Sequence, residues 1–256
     1  MKLFKALVAG AALMLATAGA HAEIRVGIMN EPLPPLFSKD ASGQWHGWEI
    51  DILNAMCDQM KEKCTIVDMA WDGLIPALMA KKFDVIWSDM SITAERKKRI
   101  DFTDKVYVVP SKVIGPKNGK KGVTPEDLAG ATIGIQVSTI QEKYFQKYFA
   151  AKSTLKTYAT LDESLQDLAA GRIDYAFAVA IPLTEFLKTD IGKACCEDKG
   201  DVKFDPDIQG NGIGGGVRKE DTELRERLNK AIDAIRASGK YDEITKKYFD
   251  FDMYGK

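Results

Sequence analysis

Histidine is almost missing from this chain: His21 and His46 are the two in 256 residues. With so few imidazoles no metal-ligand spacing appears, and no Ser-His-Asp set is evident around His46. A basic excess is missing as well, since 36 Lys and Arg stand against 37 Asp and Glu. That balance leaves no stripe for nucleic acid and no polybasic membrane patch. Beyond residue 22 no segment is long and apolar enough to span a bilayer. Coiled-coil heptads and obvious exposed apolar helix faces are absent too, so a monomer is expected. The glycine-rich run from Gly210 to Gly216 lacks the Lys and the helix of a phosphate loop, and reads as backbone turning and crowding. No cofactor is expected.

What is present begins with the N-terminus. Met1 to Lys5 is short and basic, Ala6 to Ala18 is apolar, and Ala20-His21-Ala22 supplies a small-residue cleavage signature. Residues 1–22 read as a signal peptide, with Glu23 the first mature residue. A membrane anchor fits less well, because the run is short and ends in small residues. No cysteine follows the cleavage point, which argues against lipid attachment there. Losing Lys2 and Lys5 leaves 34 basic against 37 acidic residues, about −3. The remaining chain is long enough for one large or two moderate domains. Cys57 and Cys64, seven apart, are placed to close a small loop by a disulfide in an oxidising compartment. For the adjacent Cys195 and Cys196 a strained vicinal bridge, two free thiols and intermolecular pairing all stay open.

The chain is organised around residues 84–103. Phe83, Val85, Ile86 and Trp87 read as a buried strand. Ser88, Ser91 and Thr93 follow at once, and Thr93 is placed to N-cap a short helix with Glu95 in its first turn. Arg96 lies about one turn into that helix, so its guanidinium can return to the strand end. Hydroxyls, free backbone N–H groups and a bidentate Arg together make a candidate carboxylate receptor. The plainer reading is a surface strand-turn-helix connection with an incidental Arg in the solvated run Arg96 to Arg99.

Strand and helix signals alternate around this stretch. Residues 24–29 read as a strand, and 30–37 as a proline-stiffened loop at its C-terminal end, where α/β folds place ligands. Helical patterns cover 48–61 and 71–80, with a strand at 65–68 between them. The apolar run 106–114 reads as a strand continuing through a crossover. Thr124 and Pro125 mark a helix start. A strand at 132–136 leads through a second donor-rich turn, Val137, Ser138 and Thr139, into a helix at 140–150. Thr160 and Glu163 form a capping box for a helix ended by Gly171. A buried strand follows at 174–179, and Pro182 opens another helix. Leu224, Leu228, Ile232 and Ile235 mark the core face of a late helix, with Tyr241, Ile244 and Tyr248 on a last one. Repeated β-α units with short links imply an α/β architecture with mainly parallel sheets. Two donor-bearing turns on either side of the crossover suggest two lobes facing a cleft.

Taken as an ordered set, several motifs are specific. They are Gly47-Trp48-Glu49-Ile50-Asp51, the Cys57/Cys64 pair, residues 71–78, Ser91 to Arg96 with Asp101-Phe102-Thr103, Ala170 to Asp174, and Lys247 to Phe251. By these the chain resembles the periplasmic amino-acid-binding proteins of ABC importers, within solute-binding protein family 3. Within it the likeness is to lysine/arginine/ornithine-, histidine- and opine-binding proteins. The resemblance spans essentially the whole mature chain. It implies a two-lobed periplasmic binding protein fold of type II, with a hinge of two extended crossover strands. Residues 23–110 and 208–256 would form lobe 1, and 111–207 lobe 2. It also implies a periplasmic protein that closes its lobes on a small carboxylate ligand and serves ABC permease membrane subunits without entering the membrane. Arg96 would bind the ligand α-carboxylate, helped by Ser88, Ser91 and the turn at Ser138 and Thr139. Trp71 would wall the ligand side chain, with core packing as the plainer alternative. Leu33 falls where relatives carry a stacking tyrosine.

The departures bear on the ligand. Val179 stands where basic-amino-acid binders pair an Asp with the ligand ammonium, and a buried ammonium facing valine costs roughly several kcal/mol. Asn30, with Glu31 beside it, occupies another carboxylate position. Asp89 falls where relatives have a small residue, and Trp87 adds bulk. The expected ligand is therefore a carboxylate whose nitrogen is substituted, cyclic or differently placed, as in opine-, ectoine- or betaine-like solutes. Glu31 or Asp89 would supply compensating charge, and Trp71 and Trp87 cation–π contact. A periplasmic enzyme on the same fold, cyclohexadienyl-dehydratase-like, would instead use Glu31 or Asp89 as a cleft acid. A sensor presenting ligand to a receptor would need the same closure as a transporter.

Overall fold

The computed structural model describes residues 23–255, so the signal-peptide reading of residues 1–22 lies outside the described residues. Strand β1 (Ile24–Met29) buries nearly every side chain on both faces, as suits the inside of a parallel sheet. A small hairpin, β2 (Ser38–Lys39) with β3 (Trp45–His46), leads into α1 (Trp48–Met60) and β4 (Cys64–Met69). A 3-10 turn at Trp71–Gly73 precedes α2 (Leu74–Met79), where one continuous helix was expected. Then come β5 (Val85–Ile86), α3 (Ala94–Lys97) and β6 (Asp101–Phe102). The middle of the chain holds β7 (Ser111–Pro116), β8 (Thr132–Gln136), α4 (Ile140–Tyr148), β9 (Thr154–Tyr158) and α5 (Leu161–Ala169). It continues with β10 (Tyr175–Val179), α6 (Ala180–Lys188), α7 (Asp190–Cys195), β11 (Cys196–Asp201) and α8 (Pro206–Gln209). The chain ends with β12 (Gly216–Val217), α9 (Thr222–Ala237) and α10 (Lys240–Thr245).

Two five-stranded sheets result, in the orders β4-β1-β5-β12-β6 and β11-β7-β10-β8-β9, and each is the centre of one lobe. In the first, β1 runs parallel to β4 and β5, while the late strand β12 is antiparallel to β5 and β6. In the second, β8 is parallel to β9 and β10, and β7 is antiparallel to β10 and β11. The outgoing and returning crossovers hydrogen-bond to each other, Thr103 N to Gly215 O at 2.8 Å and Ile213 N to Tyr107 O at 2.8 Å. Gly210 and Gly212 sit at φ 72 and 86 on the returning crossover, and a Cβ at Gly210 would collide with the Ile92 carbonyl. Turning and crowding are therefore what that glycine run does.

Three local expectations shift. The run 106–114 is not one strand: Val108 N donates to Met253 O, Pro110 has no N–H to give, and ladder pairing starts at Ser111. No helix follows Thr124. Thr124 and Asp127 bond each other, but Leu128 is the only buried residue of that turn, so a nascent helix has no apolar face to pack. Helix α6 starts at Ala180, which puts Pro182 in its first turn, where a missing N–H loses no helical bond.

The first lobe's core centres on Trp48, fully buried between α1 and α10. Its Nε1 donates to Thr245 Oγ1 at 3.0 Å, and its ring meets Tyr107 edge-on at 4.9 Å. The second lobe has its own aromatic core of Tyr144, Phe145, Phe149 and Phe177. Cys57 and Cys64 form a disulfide, Cα–Cα 6.2 Å, tying the end of α1 to the start of β4. Of the options open for Cys195 and Cys196, the structure has the vicinal disulfide.

Candidate functional site

The last residues of three strands, Met29 of β1, Gln136 of β8 and Val179 of β10, line one cavity between the lobes. That is the crevice beyond the carboxyl ends of the strands, where open α/β sheets bind ligands. The space there, open solvent at its mouth included, is about 490 Å³. Leu33, Trp71, Asp89, Ser91, Arg96 and Thr139 share the lining, so six of the residues singled out from sequence meet there.

Arg96 is positioned by its helix. Thr93 N-caps α3, its Oγ1 accepting from Arg96 N at 3.2 Å, and the short helix returns the guanidinium toward the strand end. Nη1 donates to Ser91 O at 3.0 Å, and Nη2 reaches the Ser138 carbonyl of the other lobe at 3.4 Å. The guanidinium lies 5.3 Å from the Trp71 ring centre. Burial pushes it down to about 10, with Asp89 opposing, so it stays charged at neutral pH. Among the described residues Arg96 makes no salt bridge. The cavity therefore presents a cation bound only to neutral carbonyls and an aromatic face. An anion is the missing partner.

From the second lobe, the N-terminus of α4 points at the same space, with Ile140 and Gln141 also in the lining. Thr139 caps this helix, accepting from Glu142 N and donating to Gln136 O at 2.8 Å. Ser138, at φ 61, gives its N–H to Glu142 Oε2 at 2.7 Å and takes no part in the lining.

The remaining residues singled out lie outside the lining. Ser88 Oγ accepts from Met29 N at 3.0 Å and fastens β5 to β1. Asn30 is exposed, its N–H given to Met69 O. Trp87 is only 2% exposed and donates from Nε1 to Glu49 O at 3.0 Å, so its ring belongs to the core. Glu31 is buried with both carboxyl oxygens on the opposite lobe: Gln136 Nε2 donates to one, and Leu161 N, at the start of α5, donates to the other at 3.0 Å. Burial pushes the Glu31 carboxyl up, against the lowering pull of those two donors.

Sequence reasoning overlooked Gln136, Gln141, Met29 and Leu161. Strand-end and helix-start positions were a usable signal for all four. Tyr107 carried no such signal, because it comes from the crossover. It lies behind Asp89 with Glu49, fully buried.

Against known proteins, the chain is 40% identical to the histidine-binding periplasmic protein of Escherichia coli strain K12, over 98% of this chain and 99% of that protein. It is also 40% identical to the L-arginine-binding protein of Pseudomonas aeruginosa, over 95% and 94%. The solved structure of an ancestral arginine-binding protein bound to glutamine matches with a TM-score of 0.80 at 31% identity, over 90% of this chain and 98% of that one. The two-lobed fold is thus the type II fold of periplasmic binding proteins. With residues 24–251 matching the family pattern, the chain belongs to the bacterial extracellular solute-binding proteins, family 3.

Proposed function

We propose that this chain is the periplasmic substrate-binding component of an ABC importer, capturing an amino acid or amino-acid-derived carboxylate by lobe closure. The observation that carries this is Arg96: a cation in an interlobe cavity with no anion of its own among the described residues. The solute carboxylate takes that place, with Ser91 beside it and the α4 N-terminus at Thr139 opposite. Trp71 and Leu33 flank the rest of the solute. Relatives named for histidine and arginine support a small amino-acid-like ligand. The signal-like N-terminus supports export, and the family supports delivery to a permease.

For the nitrogen we propose a substituted, cyclic or differently placed cation, as in opines, ectoines or betaines. Val179 supports this, because a neutral side chain lines the cavity at the position where the resemblance predicts an acid. Asp89 is the one carboxylate in the lining. Glu31, engaged across the lobes, acts in this reading as a closure latch, and the Arg96 hydrogen bond to the Ser138 carbonyl is a second link between the lobes.

A thermal-shift panel tests this, with the standard amino acids, ornithine, octopine, ectoine and glycine betaine. A solute that binds the native form raises the melting temperature by mass action. Shifts confined to octopine, ectoine or glycine betaine are expected. Large shifts with unmodified lysine or arginine overturn the reading of Val179 but keep the transport role. No shift with any member overturns the ligand class.

A further inference from the structure

Behind the cavity wall lies a cluster that the carboxylate receptor does not use. Asp89 faces the cavity, and Glu49 of α1 and Tyr107 of the crossover are buried behind it. The Tyr107 hydroxyl is 2.7 Å from Asp89 Oδ1 and 2.9 Å from Glu49 Oε1. Asp89 N donates to the same Glu49 Oε1 at 3.1 Å, and Glu49 Oε2 is buried with no partner. A phenol has one proton to give. If it donates to one carboxylate, the other carboxyl oxygen faces a lone pair unless it carries a proton itself. Three oxygens at these distances therefore need two protons, one on the phenol and one shared by the carboxyls. The pair then bears a single negative charge. Two buried carboxylates this close, one with an oxygen left bare, are otherwise among the costliest arrangements in a protein interior.

The charged groups facing the cluster agree. Arg96 of α3 pulls Asp89 down, and the Asp89 charge pushes Glu49 up. Burial pushes both carboxyls up, Glu49 to about 8 with the Asp89 charge adding to it, and Asp89 to about 7.

We propose that Glu49, Asp89 and Tyr107 are a proton-loaded receptor for the positive charge of the solute, so that seating a cationic nitrogen against Asp89 expels the shared proton to solvent. This rests on the reading of the cavity as the solute site. In the exchange one carboxyl O–H bond breaks and the proton passes to buffer. The incoming cation then balances the second carboxylate, and no electrons move. The favoured solutes are zwitterions, with a carboxylate for Arg96 and a cation for Asp89. Their capture strengthens as pH rises toward neutrality, because the bound form holds fewer protons.

The test is calorimetric titration of octopine, L-arginine and glycine betaine at about pH 7.5, between the two carboxyls, in buffers of different ionisation enthalpy, where these solutes do not themselves titrate. Release of close to one proton is expected for each solute that binds, with Kd improving about tenfold per pH unit around that pH. Glu49→Gln leaves Asp89 as a single carboxyl held at about 7, so at that pH it should bind with much less proton release and a shallower pH profile than wild type. Tight binding by wild type without proton release overturns the proposal and leaves the transport reading intact. If none of the three binds, the ligand class fails and the proposal with it. Infrared spectroscopy gives a check that needs no solute. At about pH 7.5 the ligand-free wild type should show a protonated-carboxyl stretch that Glu49→Gln largely loses, and its absence from the wild type also overturns the proposal.

Discussion

Replacing Glu31 with alanine should weaken capture of every solute by about the same factor. The Glu31 carboxyl comes from the first lobe, and both its partners, Gln136 Nε2 and Leu161 N, belong to the second. Those two bonds exist only while the lobes are together, so they favour closure whatever fills the cavity. Each bond is valued at the net figure for a typical intramolecular hydrogen bond, about 0.5–1.5 kcal/mol. Together they contribute about 1–3 kcal/mol to closure, which is about 5- to 150-fold in Kd. Glu31→Gln keeps one acceptor oxygen in place of two and should lose about half of that free energy. Calorimetric titration with octopine, L-arginine and glycine betaine reads the factor, and small-angle scattering reads the compaction on binding. An unchanged Kd would refute the latch. A loss confined to solutes with a second cation would refute it differently, by making Glu31 a counter-ion of the solute.

Arg96→Met should lose about 2–5 kcal/mol of binding, a Kd weakened about 30-fold or more, while the ligand-free melting temperature holds or rises because an unpaired cation has left the cavity. A change below about tenfold would remove Arg96 from the carboxylate receptor. Glu49 and Asp89 also set a pH dependence of stability. Their carboxyls, at about 8 and about 7, keep protons in the folded protein that the unfolded chain has already released. Stability is therefore full at about pH 4 and falls as pH rises to about 8, with a limiting slope of about 1.4 kcal/mol per pH unit per proton. Urea titrations should show this fall in wild type and a flatter profile in Glu49→Gln, and equal profiles would sink the assignment. Replacing Cys57 and Cys64 together with alanine should cost about 2–4 kcal/mol in the same assay, with little change in Kd, because the disulfide lies at the far end of α1 from the cavity.

The features legible in the sequence share a physical property: the groups involved are only a few residues apart. Thr160 and Glu163 cap α5 reciprocally, Thr93 caps α3, and Cys57 meets Cys64 across a short loop, each as its spacing implies. Arg96 reaches the cavity for the same reason, since one helical turn fixes where its side chain can go. Legibility ends where a partner comes from elsewhere in the chain. Trp87 follows a strand buried on both faces, so period-two alternation, the usual sign of which way a side chain points, is erased. Its ring could have been drawn into the cavity or the core with equal propriety, and Glu49 O, 38 residues away, decides for the core. Glu31 shows the sharper version of the problem. An acid in a loop at a strand end suits a cationic solute and a helix N-terminus equally, because both present positive charge. Only the docking of α5 against that loop, with Leu161 N 130 residues downstream, separates the two. Asp89 resembles Glu31 in sequence, an acid at a strand end beside the same cavity, yet it keeps its place in the lining. What distinguishes them is that Tyr107 and Glu49 hold Asp89 from behind while Gln136 and Leu161 hold Glu31 from across. The direction from which a carboxylate is held decides whether it meets the solute, and that direction belongs to the tertiary fold.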